Sequence, residues 1–286
     1  MVGTRFSSIS KSQRVNTRPM RKLISWLSQS AALRRAIQVL HIHRVANGWL
    51  ARFPSIKKLP GSGVIYRATR IESIPLAQEM FDKGVLYDSQ LLPKGFTTFA
   101  DLGCNVGYFT CWLAHLASGR KLKGLMLDAN PHAVKEAQWH AQANGMPEVF
   151  GIHGIAGEGK PGGHAEFFLY ESNICSTSHL PDTEKMELKG KWEQIRVPAV
   201  SIEEHWKSHF NDARCNVLKI DIEGSEMNFL RAETTFLARC DSLLVEWHKW
   251  KVNLDELESF LKDQHFRYVK TIEENDQMGT AFFERF

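Results

Sequence analysis

The first 71 residues contain no aspartate and no glutamate. They carry 14 Lys or Arg, and the first acid is Glu72. The rest of the chain holds 22 basic against 32 acidic side chains, so the net charge of +4 hides a basic arm joined to an acidic body. Such an arm suits an anionic membrane surface, a nucleic-acid backbone or the acidic body itself. Cysteine is scarce. Cys104, Cys111, Cys175, Cys215 and Cys240 are odd in number, irregularly spaced and without a C-x-x-C pair. That excludes a disulfide framework and a structural zinc site. A reducing, cytoplasmic compartment is the expectation, although the Arg- and Ser-rich residues 1–20 also fit an organellar transit peptide. No stretch approaches the roughly 18 uncharged apolar residues that a transmembrane helix needs. No signal-peptide core opens the chain.

What is present suits a globular protein: 43% apolar and 24% charged residues in a chain of 286. Residues 1–20 read as a disordered basic tail. Residues 21–84 read as a basic helical extension. In it, Leu23, Trp26, Leu27, Leu33, Ile37, Leu40 and Trp49 recur mostly at three- and four-residue steps. Pro54, Pro60, Gly61 and Gly63 mark a loop, and Ile74 to Phe81 a short helix. Residues 85–286 form the main domain. Strands are expected at Phe96–Leu102, Leu122–Leu127, Val149–His153, Val217–Ile222 and Ser242–Trp247, with helices between them. Pro131 opens one of these helices and Asn144-Gly145 stops it. Phe266–Lys270 and Thr280–Phe286 close the chain as antiparallel strands. Residues 157–200 interrupt the alternation as an insertion, read as a hairpin or lid above the sheet. The fold class is α/β, with a mostly parallel Rossmann-like sheet.

The stretch Asp101-Leu102-Gly103-Cys104-Asn105-Val106-Gly107 reads as strand, glycine turn and helix start. Its glycines are four apart, unlike the G-x-G-x-x-G of dinucleotide sites. This D-x-G-x-x-x-G pattern suits S-adenosylmethionine (AdoMet) better than a pyrophosphate. Asp101 can hold the cationic methionine end, directly or through water. Asp128 closes the next strand, where an acid accepts hydrogen bonds from ribose hydroxyls. Gly103, Cys104, Asn105, Gly107, Asp128, Ala129 and Asn130 complete the candidate cofactor set.

These residues resemble the FkbM family of class I methyltransferases. Asp101–Thr110 resembles its first motif, and Asp128-Ala129-Asn130-Pro131 its second, where Glu-Pro is more usual. Ser176–Leu180 is similar to its Ser-rich middle element. Leu218-Lys219-Ile220-Asp221-Ile222-Glu223-Gly224-Ser225-Glu226 resembles its K-I-D-x-E-G-x-E signature, and Glu246-Trp247-His248 its E-x-H. The resemblance implies an AdoMet-dependent O-methyltransferase acting on a small-molecule hydroxyl, as on a sugar, polyketide or other secondary metabolite. The alternative is a methyltransferase docked on nucleic acid or protein by the basic arm. Nucleic acid is the less expected partner, because no N-P-P-Y or D-P-P-Y tetrapeptide of amine methylation follows the fourth strand.

Charges within an apolar strand are costly unless paired. Alternation places Lys219, Asp221 and Glu223 on one side, and Glu246 and His248 share a parity on the next strand. The five are therefore expected beside the AdoMet methyl group. His248 is the expected general base, since imidazole titrates near neutrality. Asp221 or Glu246 would orient it, and Lys219 would steady a developing alkoxide. Alternatively Asp221, Glu223, Glu246 and His248 hold a divalent cation. Glu226 reads as a charge at a helix N-terminus. His140, His153, His164, His179, His205 and His209 show no ligand spacing, and Tyr108 is equally a packing or a cofactor residue.

Overall fold

The computed structural model describes residues 42–83, 86–170 and 192–286. The tail over 1–20, most of the apolar pattern over 21–41, Ser176–Leu180 and Cys175 lie outside the described residues. The chain divides into two compact units, Met1–Trp49 and Leu50–Phe286. Helix α1 (Ile42–Arg52) is the first described element.

Within Leu50–Phe286, a two-stranded antiparallel ribbon, β1 (Ser55–Lys58) and β2 (Ile65–Ala68), comes first. The proline and glycines of residues 60–63, expected as a loop, are the turn of this ribbon. Leu59 N–H donates to Val64 O at 2.7 Å to close it. Next come α2 (Ser73–Gln78), a π-helical turn (Glu79–Lys83) and a 3-10 turn (Ser89–Leu91).

The alternation then runs β3 (Thr98–Leu102), α3 (Tyr108–Ala117), β4 (Lys123–Asp128), α4 (Pro131–Ala143) and β5 (Glu148–His153). An antiparallel hairpin, β6 (His164–Tyr170) and β7 (Trp192–Pro198), lies within the segment expected as an insertion, and residues 171–191 lie outside the described residues. Then come α5 (Ile202–Phe210), β8 (Cys215–Ile220), α6 (Glu226–Ala232), α7 (Thr234–Leu237) and β9 (Cys240–His248). The chain closes with α8 (Leu254–Asp263), β10 (Phe266–Glu274) and β11 (Met278–Arg285).

The seven-stranded sheet has the order β10-β11-β9-β8-β3-β4-β5. Its pairs β8–β9, β8–β3, β3–β4 and β4–β5 are parallel, and β11 is antiparallel to both neighbours. The strand order reverses between β3 and β8, the place where open α/β sheets form a ligand crevice. Both faces are covered. Ala100, Leu102, Leu218, Ile220, Leu243 and Val245 pack with Trp206, Phe229 and Leu257 on one side. Phe99, Met126, Val217, Leu244 and Phe282 pack with Phe109, Leu113 and Tyr66 on the other. Neighbours in one strand thus serve opposite cores, which explains the continuous apolar runs.

Caps fix the helix starts. Asn130 Oδ1 accepts from His132 N–H at 3.0 Å, and Ser201 Oγ accepts from Glu204 N–H at 3.3 Å. One strand end differs from the expectation. β8 stops at Ile220, because Glu223 at φ 53° and Gly224 at φ 93° turn the chain towards α6. Asp221 and Glu223 therefore lie on a turn, and strand alternation does not govern them.

On β11, a Cβ at Gly279 would overlap the indole of Trp247, which is buried. Gly279→Ala is expected to lower stability by about 1–3 kcal/mol through overpacking. Urea denaturation checks this. Adding Trp247→Phe, which removes the overlapping atoms, should recover part of the loss.

Candidate active site

The carboxyl ends of β3 and β4 build the first half of the site. The turn after β3 has Gly103 at φ 70°, Asn105 at φ 47° and Gly107 at φ 83°. Gly103 and Cys104 N–H groups both donate to Leu127 O at 2.9 Å, tying the turn to β4. Asp128 grips the same turn. Its Oδ2 accepts from Asn105 N–H at 2.7 Å, and its Oδ1 from Asn130 N–H at 2.8 Å. Burial raises the Asp128 carboxyl to about 6, against the lowering effect of those two bonds. Its residue surface is still partly exposed. Cys104, Ala129 and Asn130 are buried beside it. Asn130 Nδ2 is buried with no hydrogen-bond partner, a donor available to a ligand acceptor.

The two glycines are required by the chain itself. A Cβ at Gly103 would overlap the Asp221 carbonyl, and one at Gly107 would stand 2.8 Å from Ala137 on α4. Both also have positive φ, where other residues are strained.

The second half joins this turn through buried ions. Asp101 on β3 and Lys219 on β8 are register partners. The Lys219 ammonium donates to Gly103 O at 3.0 Å and lies 3.4 Å from Asp101 and 3.1 Å from Asp221. Asp101 is fully buried and also accepts from Thr110 Oγ1 at 3.2 Å. Burial would push Lys219 down, but Asp221 and the other facing groups outweigh it and hold its pKa well up. The ammonium is thus paired with two carboxylates and hydrogen-bonded to a backbone carbonyl, while Asp101 Oδ1 accepts no hydrogen bond.

Around His248 the remaining acids gather. Its Nδ1 lies 2.9 Å from Glu226 Oε1, and its Nε2 lies 3.4 Å from Glu223 and 3.8 Å from Glu246. Burial opposes the charged imidazole, yet Glu226, Glu223 and Asp221 raise it to about 9. Burial, helped by the charge of Asp221, raises the Glu246 carboxyl to about 8. Asp221, Glu246 and His248 each offer a ligand atom, all within 4.8 Å of one another. The five residues expected at the site are therefore brought together, with Asp221 shared between the ion chain and the histidine cluster.

Residues 101–268 match the methyltransferase FkbM domain model. The chain belongs to the FkbM methyltransferase family. Similar solved structures include methyltransferase FkbM from Methylobacillus flagellatus KT, at 13% identity over 71% of this chain and 47% of that one, TM-score 0.48. TrmK of M. capricolum, in complex with S-adenosyl-homocysteine, shares 10% identity over 68% and 65%, TM-score 0.41. An rRNA methylase from Streptococcus thermophilus shares 11% over 68% and 90%, TM-score 0.37. The chain spans less than two thirds of the length of the first two of these proteins. No curated protein matches it. The comparisons give no support to setting nucleic acid aside as a partner.

This FkbM-family site also uses residues that sequence reasoning passed over or read otherwise. Glu226, read as a helix charge, is fully buried and accepts from both His248 and Gly224 N–H, the latter at 2.9 Å. Its place three residues after Glu223 was the signal. Tyr87 packs edge-on against Phe109 at 5.1 Å between centroids. Burial, opposed by the charge of Lys219, raises its phenol well above the ordinary tyrosine value, and the charges of Asp221 and Glu246 add to the rise. No pattern in the sequence marks it. His140 is fully buried and braces the turn after β3. Its Nδ1–H donates to Val106 O at 2.8 Å, and its Nε2 accepts from Arg67 N–H at 2.9 Å.

Removing one member of a buried ion pair leaves an uncompensated charge. Lys219→Met is expected to destabilise the fold by about 3–5 kcal/mol. Asp101→Asn with Lys219→Met should recover most of that. Chemical denaturation of the three proteins measures it, and a double variant no more stable than Lys219→Met contradicts the pairing.

Proposed function

We propose that this chain is an AdoMet-dependent O-methyltransferase acting on a hydroxyl of a small molecule such as a sugar, a polyketide or another secondary metabolite. One observation carries the reading: the turn that suits the cofactor touches the acid–imidazole cluster through Gly103, Lys219 and Asp221. Family membership supports the cofactor. The residues fit it as well. Asp128 is oriented by two backbone donors while part of its surface stays open, and Asn130 keeps an unused buried donor beside it.

When bound, AdoMet supplies an electrophilic methyl group: a C–O bond forms to the acceptor, the C–S bond breaks, and its electron pair leaves a neutral thioether. The chain's own residues do the rest. Asp128, Asn105 and Asn130 orient the nucleoside. The cluster of Asp221, Glu223, Glu246 and His248 positions the acceptor hydroxyl. His248, raised to about 9, already carries a proton at neutral pH. Asp221 or Glu223 therefore takes the hydroxyl proton in place of the expected histidine base, and the imidazolium steadies the developing charge. Glu226 holds His248 so that Nε2 faces Glu223 and Glu246. Lys219 holds Asp221 against the cofactor turn. The cluster can also carry a divalent cation in place of a proton. The signature after β8 is acidic, Asp221-Ile222-Glu223-Gly224, which suits a hydroxyl acceptor better than an amine. The second reading, a nucleic-acid acceptor, rests on the 14 basic residues among the first 71. Binding of RNA that weakens steeply with salt would favour it.

Incubation with methyl-labelled AdoMet and metabolite extracts, followed by mass spectrometry, is expected to give a labelled small-molecule ether. Label found only in RNA or protein overturns the small-molecule reading. His248→Ala should leave AdoMet affinity within about twofold and slow transfer by about 100-fold or more, the scale of a lost charge-stabilising donor. Equal rates in wild type and variant would remove His248 from the chemistry.

A pH dependence follows for Asp128. Its carboxyl titrates near 6 in the free chain, and only the ionised form accepts from both ribose hydroxyls. AdoMet affinity is therefore expected to be level above pH 6 and to fall as the pH drops below it. Asp128→Asn should bind more weakly and lose that dependence. Calorimetric titration from pH 5 to pH 8 decides, and a flat wild-type profile contradicts the ribose contact.

A further inference from the structure

We propose that Asp221, Glu246 and His248 bind one first-row divalent cation, which receives the acceptor hydroxyl. This deepens the reading of the cluster as the place of hydroxyl activation and rests on it.

The first argument is geometric. Three ligand atoms from three residues lie within 4.8 Å of one another, close enough to share one ion. They come from a turn and a strand whose positions are fixed by the sheet. Asp221 turns one oxygen, Oδ2, to Lys219 and so keeps Oδ1. The site is neither sealed nor open: the side chains are 27%, 18% and 8% exposed for Asp221, Glu246 and His248. That leaves a face from which an acceptor can reach the ion.

The second argument is the support behind the histidine. Metal-bound imidazole characteristically donates its other N–H to a carboxylate, which fixes the ring and makes the free nitrogen more basic. Glu226 does this at 2.9 Å from Nδ1, leaving Nε2 towards the acids. Glu226 is fully buried, and its Oε2 has no hydrogen-bond partner. A fully buried carboxylate with an unused oxygen is a large cost for a histidine that only packs. It is suited to one whose nitrogen binds a cation.

The third argument is charge. Among the described residues, Asp101, Asp221, Glu226 and Glu246 face two cations, Lys219 and His248. Crowded carboxylates of this kind need a counter-charge. Two carboxylates with one imidazole favour a mixed oxygen–nitrogen ion such as Mn²⁺ or Fe²⁺ over Ca²⁺ or Mg²⁺, which prefer oxygen alone. The bound ion would polarise the hydroxyl, and its proton would pass to Glu223, the acid left off the ion.

The full chain, stripped with chelator, is titrated with Mn²⁺ by calorimetry and by electron paramagnetic resonance. One Mn²⁺ per chain is expected, with pulsed spectra showing a coupled imidazole nitrogen. Glu246→Gln and Asp221→Asn should weaken binding about tenfold or more, the low end of what lost metal-site partners cost. His248→Gln should remove the nitrogen coupling while circular dichroism stays unchanged. Glu148→Gln, outside the site, should bind as wild type. AdoMet binding is measured on the same preparations. A chain that binds AdoMet but no Mn²⁺ overturns the cation site and leaves the methyl-transfer reading standing, and so does equal Mn²⁺ affinity in wild type and Glu246→Gln. A chain that binds Mn²⁺ with imidazole coupling but not AdoMet keeps the cation site and overturns that reading.

Discussion

A lysine ammonium buried between two carboxylates joins the two halves of this protein's site. Lys219 sits across the β3–β8 pairing from Asp101 and reaches both Asp221 and the Gly103 carbonyl. β3 and β8 are the strands between which the sheet order reverses. Helices leave them on opposite faces, so their carboxyl ends diverge and open a crevice. Something must hold the turns that line that crevice together, and apolar packing cannot act there, because the turns end in polar groups. The buried ions do so. They are costly to desolvate, and the arrangement offsets that cost by setting Lys219 against two carboxylates and the Gly103 carbonyl at once.

The same economy governs the turn after β3. Gly103 and Gly107 lack a side chain because Asp221 and Ala137 lie against them. The turn is consequently shaped before any ligand arrives. Asp128 holds it from β4 through Asn105, and His140 holds it from α4 through Val106. A turn braced on three sides loses little entropy when a ligand docks, which is the condition for tight binding by few contacts. The histidine cluster is built on the same plan. Glu226 closes the turn at Gly224 and fixes the ring of His248 with one carboxylate oxygen.

Much of this was legible in the sequence. The strand–helix alternation, the antiparallel closing strands and the insertion after β5 follow from periodicity and punctuation. Asp128 and the turn at 103–107 were identifiable because spacing alone restricts what they can do. The signature around Lys219 and Asp221 announced itself as charge inside an apolar run. Where reading by alternation went astray, local chain geometry was the cause. β8 ends two residues early, since Glu223 and Gly224 take positive φ. The ribbon of β1 and β2 was hidden because its strands are four residues each and its turn is rich in glycine and proline.

The linear order of residues settles composition, element order, family and the set of side chains able to do chemistry, because each of these depends on neighbours a few positions apart. Partner choice lies beyond it. That Lys219 faces inward, that Glu226 serves His248 and not its own helix, and that Tyr87 stands near the acids are outcomes of contacts between residues from 22 to more than a hundred positions apart. Such contacts are fixed only when seven strands take one register and two cores fill against them. Their distances, and with them the charge each group keeps, belong to the folded state alone.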